Sequence, residues 1–474
     1  MRTLFGSPYD VRRSCGPFIA VRHNEGDVMS KSLSREVSEL VNREVTRAVG
    51  RADRAVARAM RRELSLEGSA FTRDGLRRLR DTLAGPVDSG AIPGFVALVD
   101  RHGQTHVETM GTLHTGGAEL MRRDTIFRMA SSTKPVTAAA VMTLVDDCRL
   151  RLDDPVVPWL PELADRQVLK RIDGPLDDTV PARRAITVRD LLTFTFGFGA
   201  VVAAPDTYPI QVAMRESGLY SDGAFPSGEP DEWMRRLGAL PLMYQPGERW
   251  LYNTGADVLG ILIARVTGQS FGSYLQERVF APLGMTDSGF WVPQEKIHRL
   301  PTSYAHDPET GALAVYDEAA GGRFSEPQAF EVGGSGLAST ADDYRAFCRM
   351  LLNKGMGDGV RVLSRQSVEL MTADQLTPEQ KIEKDQFPEL FGNHGGFGFG
   401  MGVRTRRLGF AGVGQFGWDG GLGVSVQMDP AEDLTLILLT QTAMDTPDSP
   451  HLVNDFQTLA YQAINDCSGQ SIGE

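Results

Sequence analysis

The sequence predicts an α+β fold, with one antiparallel sheet assembled from both ends of the chain and a mainly helical region inserted between them. Three observations predict it. Near the start, "GFVALVDRHGQTHVETMGTL" reads as two strands joined by a turn at residues 101–103. Near the end, "FGFGMGVRT", "FAGVGQFGW", "GVSVQMD" and "LTLILLTQ" again read as strands. Between them, from about 130 to about 390, helix signals alternate with proline-containing loops.

Taken in order, residues 1–30 read as irregular. Over 32–64, Val37, Val41, Val45, Ala48, Ala52, Val56 and Ala59 recur at spacings of three and four, the stripe of an amphipathic helix. Arg43, Arg47, Arg51, Arg54, Arg58 and Arg61 form a second stripe. A solvated face on an N-terminal arm accounts for it, as would a start at Met29 or Met60; a basic arm for a membrane, a partner or nucleic acid is the functional alternative. Residues 1–68 are therefore expected to be an extension, and 69–470 the domain, with sheet parts at about 69–129 and 391–470. Thr72 opens a helix in "TRDGLRRLRDTLAGPVDSG", which glycine closes. Thr187 caps "ITVRDLLTFTF". Thr340 caps "GLASTADDYRAFCRMLLNKG", which has acidic residues in its first turn. A closing helix is expected over 451–466.

The composition narrows the functional classes. The chain has 474 residues, 41% of them hydrophobic and 23% charged, which is ordinary for a protein with a large core. A formal charge of −12 argues against a nucleic-acid partner. Cys15, Cys148, Cys348 and Cys467 are widely spaced, so neither a zinc site nor a disulfide framework is suggested. There is no apolar run of about 18 residues and no secretory pattern at the start. A reduced, cytoplasmic setting is expected.

Two serines compete as nucleophile. A serine hydroxyl is weak at neutral pH and needs a base within reach. Ser270 lies in Gly268-Gln269-Ser270-Phe271-Gly272, a G-x-S-x-G pattern that serves as a nucleophile elbow when a strand precedes it. Upstream, "GADVLGILIARVTG" reads better as a buried helix stopped by Gly268, so Ser270 is expected to cap the next helix. The same pattern recurs around Ser471 near the end of the chain, which shows how little it proves. Ser131 and Lys134 form S-x-x-K at the start of a helix of about 16 residues. That spacing puts both side chains on one face, a turn apart. The lysine can hold or receive the serine proton, and the helix N-terminus offers N–H groups to a developing oxyanion. Pro135 is tolerated in the first turn, and the apolar run 136–145 says that the helix is buried.

"FRMASSTKPVTAAAVMTLVDDCRLRLDDPVVPWLPEL" resembles the first motif of the serine β-lactamase and penicillin-recognising family, in its class-C-like esterase branch. "ITVRDLLTFTFGFG", "PGERWLYNTGADVLG", "APLGMTDSGF", "GGSGLASTADDYRAF" and "GQFGWDGGLGVSVQMDP" resemble later segments of the family, in the family's order, over roughly 70–465. The resemblance implies a three-layer α/β/α, β-lactamase/transpeptidase-like fold. It implies Ser131 as acylated nucleophile, Lys134 as its proton partner and Tyr252 as the tyrosine that takes the serine proton and passes it to the leaving alcohol. Backbone N–H groups of Ser131 and Gly421 would form the oxyanion hole. Trp418, Asp419 and Gly420 would lie against substrate, the glycines letting a strand edge come close. A small-molecule ester partner and no cofactor are likewise what the resemblance implies.

Two departures bear on substrate. Where the β-lactamase third motif has a lysine, this chain has Trp418 followed by Asp419, so the cation that pairs with a substrate carboxylate is missing. Tyr252-Asn253-Thr254 has no asparagine two residues after the tyrosine; Asn253 would have to replace it. Both favour a neutral ester, hydrolysed through an acyl-enzyme, over a β-lactam or D-amino-acid peptide. A non-catalytic binding protein and an acyltransferase are the remaining alternatives. Aromatic residues of loops 197–245 and 377–396 (Phe198, Tyr208, Tyr220, Phe225, Trp233, Phe387 and Phe391) are candidates for an acyl pocket or for ordinary packing.

Overall fold

The computed structural model describes residues 69–466 apart from 202, 222–224, 227, 382–389, 393 and 447–448. The Arg-bearing segment 32–64, Cys15, Phe387, Cys467 and Ser471 lie outside the described residues. Seven strands form the central sheet. In chain order they are β1 (Gly94–Arg101), β2 (Gln104–Gly111), β3 (Gly395–Phe397), β4 (Gly402–Arg404), β5 (Phe416–Gly420), β6 (Val424–Asp429) and β7 (Leu434–Thr440). Their spatial order is β3-β4-β5-β6-β7-β1-β2, antiparallel throughout. The early hairpin joins the late strands where β1 meets β7, with Phe95 opposite Thr440 and Arg101 opposite Leu434.

Five longer helices matter for the site: α1 (Arg73–Asp88), α2 (Thr133–Asp146), α3 (Thr254–Thr267), α4 (Ala341–Leu352) and α5 (Ser449–Ala463). Successive strand side chains face opposite ways, so β1 and β7 serve two cores. Phe95, Ala97 and Val99 join Leu434, Leu436 and Leu438 in packing on Leu79 and Leu83 of α1 and Phe456 and Ala460 of α5. Val96, Leu98, Ile437 and Leu439 turn to the opposite core, shared with α2, α3 and α4. A sheet covered on both faces is the expected three-layer arrangement, and it explains why these strands are nearly continuous apolar runs.

Local chemistry sets the boundaries. His102 and Gly103 both have positive φ, 53° and 77°, as a two-residue turn of the hairpin type requires. Thr72 accepts from the Gly75 N–H, and Thr340 from that of Asp343. Thr187 and Asp190 form a reciprocal capping box. "GADVLGILIARVTG" is helical, ended by Gly268 in the left-handed region.

Three details depart from expectation. The middle region also carries short two-stranded ribbons, such as Ser303–His306 with Leu313–Asp317; strands this brief carry no readable period. "FAGVGQFGW" becomes a strand only at Phe416, and most of residues 405–414 form an exposed loop. The S-x-x-K helix opens with a 3₁₀ turn at Ala130–Ser132 before 14 residues of α-helix. Among the described residues, no helix is long and apolar enough to cross a membrane.

Leu98 is fully buried opposite Ile437. Its replacement by Ala leaves a cavity beneath an inner strand and should cost about 2–5 kcal/mol. Urea unfolding should show a lower midpoint with an unchanged slope.

Candidate active site

The sheet presents β5 to the start of α2. Gly420 is the contact point, since a Cβ there would meet the Met129 carbonyl at 2.4 Å. Glycine is thus required at 420 to let the strand approach the chain before Ser131, a different reason from the close approach to substrate expected of it. Gly421 meets no such neighbour. Ser132 Oγ donates to the Trp418 carbonyl at 3.2 Å, and Tyr344 Oη donates to the Ser132 carbonyl at 2.6 Å. The Met129 N–H donates to the Leu337 carbonyl at 2.8 Å. Held on three sides, Ala130 adopts φ of 44°, a conformation that L-residues take at a cost and that tends to mark functional sites.

This turn brings together three predicted residues. Lys134 Nζ donates to Ser131 Oγ at 2.9 Å. Tyr252 Oη donates to the same oxygen at 2.8 Å. Lys134 is 1% exposed, and its ammonium sits 4.5 Å from the centre of the Tyr252 ring. Tyr252 is fixed by aromatic neighbours: Trp250 stacks on it at 5.6 Å, and Phe194 meets it edge-on at 6.2 Å. Trp418 packs at 5.6 Å and its indole N–H donates to Tyr252 Oη at 3.0 Å. That bond was not foreseen. The tryptophan that replaces a lysine supplies a donor to the tyrosine.

Asp257 was also missed. It is fully buried in the first turn of α3. Oδ1 accepts from the Gly334 N–H at 2.9 Å, while the Gly334 carbonyl accepts from Lys134 Nζ at 2.7 Å. One peptide segment thus links carboxylate and ammonium. Glycine at 334 permits this, because a Cβ would meet Asp257 Oδ1 at 2.5 Å. Burial pushes the Asp257 carboxyl up to about 7, against the opposing pull of the Lys134 charge. An acid in the otherwise apolar "TGADVLGILIA" was the signal that could have found it.

Asn253 does not replace the missing amide. It adopts φ of 79°, and its Nδ2 donates to Asp257 Oδ2 at 3.4 Å. Ser270 lies elsewhere. It accepts from the Ser273 N–H as the cap of Phe271–Leu275, and its Oγ donates to Glu331 at 3.3 Å. Of the loop aromatics, Phe198 and Trp233 are fully buried in the main core, with Tyr208 and Tyr220 against it. Phe225 and Phe391 belong to smaller cores, and the ring of Phe391 packs on Trp250. Packing, not an acyl pocket, accounts for these six.

Ser131 and Tyr252 open on a cleft of about 540 Å³ whose walls include Trp418, Asp419 and Gly421. Asp419 stands exposed at the rim and accepts from Gln427 Nε2 at 3.2 Å. Further walls come from Leu390 and Gly395, from Gly402, Val403 and Arg404 of β4, from Gln415 and from Val453, Asn454 and Gln457 of α5. The contribution of α5 was not expected.

A serine joined to a buried lysine on this fold is the arrangement of a serine-hydrolase class, and comparison with known proteins agrees. The chain belongs to the beta-lactamase family, whose model matches residues 79–458. Protein Rv1367c of Mycobacterium tuberculosis is 41% identical over 76% of this chain and 88% of its own. Esterase EstB of Burkholderia gladioli is 31% identical over 81% of this chain and 96% of its own. Among solved structures, "EstCE1, a hydrolase with promiscuous acyltransferase activity" shares the fold, with a TM-score of 0.67 at 24% identity over 84% of this chain and 99% of that one. The protein is accordingly a serine hydrolase of the beta-lactamase family.

The raised Asp257 carboxyl makes a pH prediction. An acid whose folded value lies above its unfolded one binds a proton more tightly when folded, so its contribution to stability falls as pH rises from about 4 through about 7. Asp257→Asn removes that loss. The stability of wild type minus that of the variant, measured by urea unfolding, should be less favourable to wild type at pH 8 than at pH 5.

Proposed function

We propose that this protein hydrolyses neutral carboxylic esters through an acyl-enzyme on Ser131. The observation that carries the reading is the convergence of Lys134 and Tyr252 on one serine oxygen, at 2.9 and 2.8 Å. In acylation, Ser131 Oγ attacks the ester carbonyl carbon and its proton passes to the Tyr252–Lys134 pair. The tetrahedral oxyanion then collapses, and the leaving alkoxide departs with a proton from Tyr252. Water repeats the sequence on the acyl-enzyme, releasing the acid and restoring Ser131. The Trp418 N–H strengthens its bond to Tyr252 Oη as negative charge develops there.

Backbone geometry supports an oxyanion hole at Ser131 and Gly421. The Ala130 carbonyl is turned into the helix, accepting from Thr133 Oγ1 at 2.7 Å, and the Gly420 carbonyl is turned into its own hairpin, accepting from the Gly423 N–H at 3.0 Å. In a trans peptide the next N–H points the opposite way. The N–H groups of Ser131 and Gly421 are thereby left to face the cleft that both residues line.

Ester rather than lactam or peptide substrates follow from two features. Trp418 brings an indole where a cation would hold a substrate carboxylate, and Asn253 is turned to Asp257. The name of EstB supports the same reading. That of EstCE1 supports a second outcome, in which an alcohol rather than water takes the acyl group. A family match that begins at residue 79 supports treating 1–68 as an extension of the hydrolase domain.

Intact-mass analysis after a fluorophosphonate probe, followed by peptide mapping, should place one adduct on Ser131. Ser131→Ala should abolish both labelling and p-nitrophenyl ester turnover, while Ser270→Ala should keep both. Labelling that persists in Ser131→Ala and vanishes in Ser270→Ala would reverse the assignment. A wild-type protein that labels nowhere would point to a binding role instead.

Lys134→Ala and Tyr252→Phe should each lower kcat for the ester by roughly 10²–10⁴-fold, the range of a lost proton-transfer partner. Nitrocefin turnover should be far below ester turnover; comparable rates would favour the lactam reading.

A further inference from the structure

The cleft does not end at Ser131. It follows the β4–β5 hairpin outward, from Gly402 opposite Gly417 to Arg404 and Gln415, whose side chains bond at 3.1 Å. Along its other side run Val453 and Gln457 of α5. One turn further on that helix, Tyr461 stacks on Phe410 at 6.4 Å. Phe410 belongs to the loop at the hairpin tip, "TRRLGFAGVG", residues 405–414.

That loop has an unusual surface. Leu408 is 58% exposed, Phe410 49% and Val413 60%. Arg406 and Arg407 stand exposed beside them, and Arg404 lies at the loop's base. Three large apolar side chains this exposed within six residues, beside two exposed arginines, form a candidate binding surface. The loop is also held in shape. The N–H groups of Thr405 and Arg406 bond the His394 carbonyl at 2.8 and 3.3 Å. Arg407 Nη2 donates to the Phe410 carbonyl at 2.7 Å, and the Gly412 N–H donates to buried Asp429 at 2.8 Å. Its apolar residues are therefore presented, not collapsed inward.

We propose that residues 405–414 dock the enzyme on an anionic lipid surface, with the open end of the cleft facing that surface. Charge selects the partner. A chain of formal charge −12 is repelled by an anionic bilayer as a whole, so, among the described residues, a local arginine cluster around an apolar tip is a feature that can approach one. Leu408, Phe410 and Val413 enter the headgroup boundary while the guanidinium groups pair with lipid phosphates. The consequence for substrate is direct. An amphiphilic ester can pass from the surface along the hairpin to Ser131. The substrate part rests on the ester-hydrolase reading; the docking part does not.

The test uses the full chain and vesicles of phosphatidylglycerol with phosphatidylcholine, compared with phosphatidylcholine alone. Wild type should co-sediment with the anionic vesicles. The double variant Leu408→Ser/Phe410→Ser and the single variant Arg406→Glu should each partition at least about tenfold less. Both should keep wild-type turnover of a short, water-soluble p-nitrophenyl ester, which shows that they are folded and separates this proposal from the chemistry at Ser131. Absence of wild-type binding to anionic vesicles overturns the proposal. So does binding that survives Leu408→Ser/Phe410→Ser, since it would then be ionic adhesion or the work of another part of the chain. Equal binding to neutral vesicles overturns the role of charge.

Discussion

The buried ammonium of Lys134 is the constraint on which the rest of the centre depends. A cation removed from water must be met by oxygen atoms and by compensating charge. Three elements of the fold are used to meet it. The 3₁₀ turn supplies Ser131 Oγ, the loop after residue 332 supplies the Gly334 carbonyl, and the first turn of α3 supplies the negative end through Asp257. The Lys134–Gly334 bond joins residues 200 positions apart and the Gly334–Asp257 bond residues 77 apart, so the site is also the seam of the domain. Thr137 Oγ1 on the Gly333 carbonyl and Thr133 Oγ1 beneath the Leu337 N–H extend the same seam along α2.

Tyr252 depends on a different environment. Its ring is set by Trp250, Phe194 and Trp418, a small aromatic core separate from the main one. Aromatic side chains have few rotamers to lose and fix a neighbour's orientation at low entropic cost. The polar end of the tyrosine then receives the indole N–H and reaches Ser131. A residue that departs from the lactamase pattern thus serves two ends. Trp418 donates to the tyrosine's hydroxyl, and it completes the wall that positions the ring.

Much of the fold was legible in the sequence, for local reasons. Thr72, Thr187 and Thr340 announce helix starts because capping needs only neighbours. The hairpin at 101–103 is announced by glycine at a positive-φ position. Ser131 and Lys134 could be paired because one helical turn fixes their distance. What escaped was non-local. Gly334 meets Asp257 and Lys134 only after three segments have packed, and no spacing encodes that. The wall from α5 and the burial of Phe198 and Trp233 likewise depend on which face of a long connection turns inward, which composition does not specify.

The joining of β1 to β7 has a bearing on how the protein is made. Strand β1 lies inside the sheet, between β7 and β2, yet its partner residues 434–440 are synthesised long after it. The tie extends outward: the Thr72 N–H bonds the Ala463 carbonyl, and the Asn465 N–H bonds the Ala70 carbonyl. During synthesis the early hairpin therefore has no sheet to enter, and one apolar side of α1 waits for α5. Pairings this distant along the chain form slowly, and exposed strand edges recruit other chains in the meantime. The sheet is thus completed only after residues 434–440 have been made. Until β7 and α5 have been made, the nascent hairpin and the apolar side of α1 need shielding.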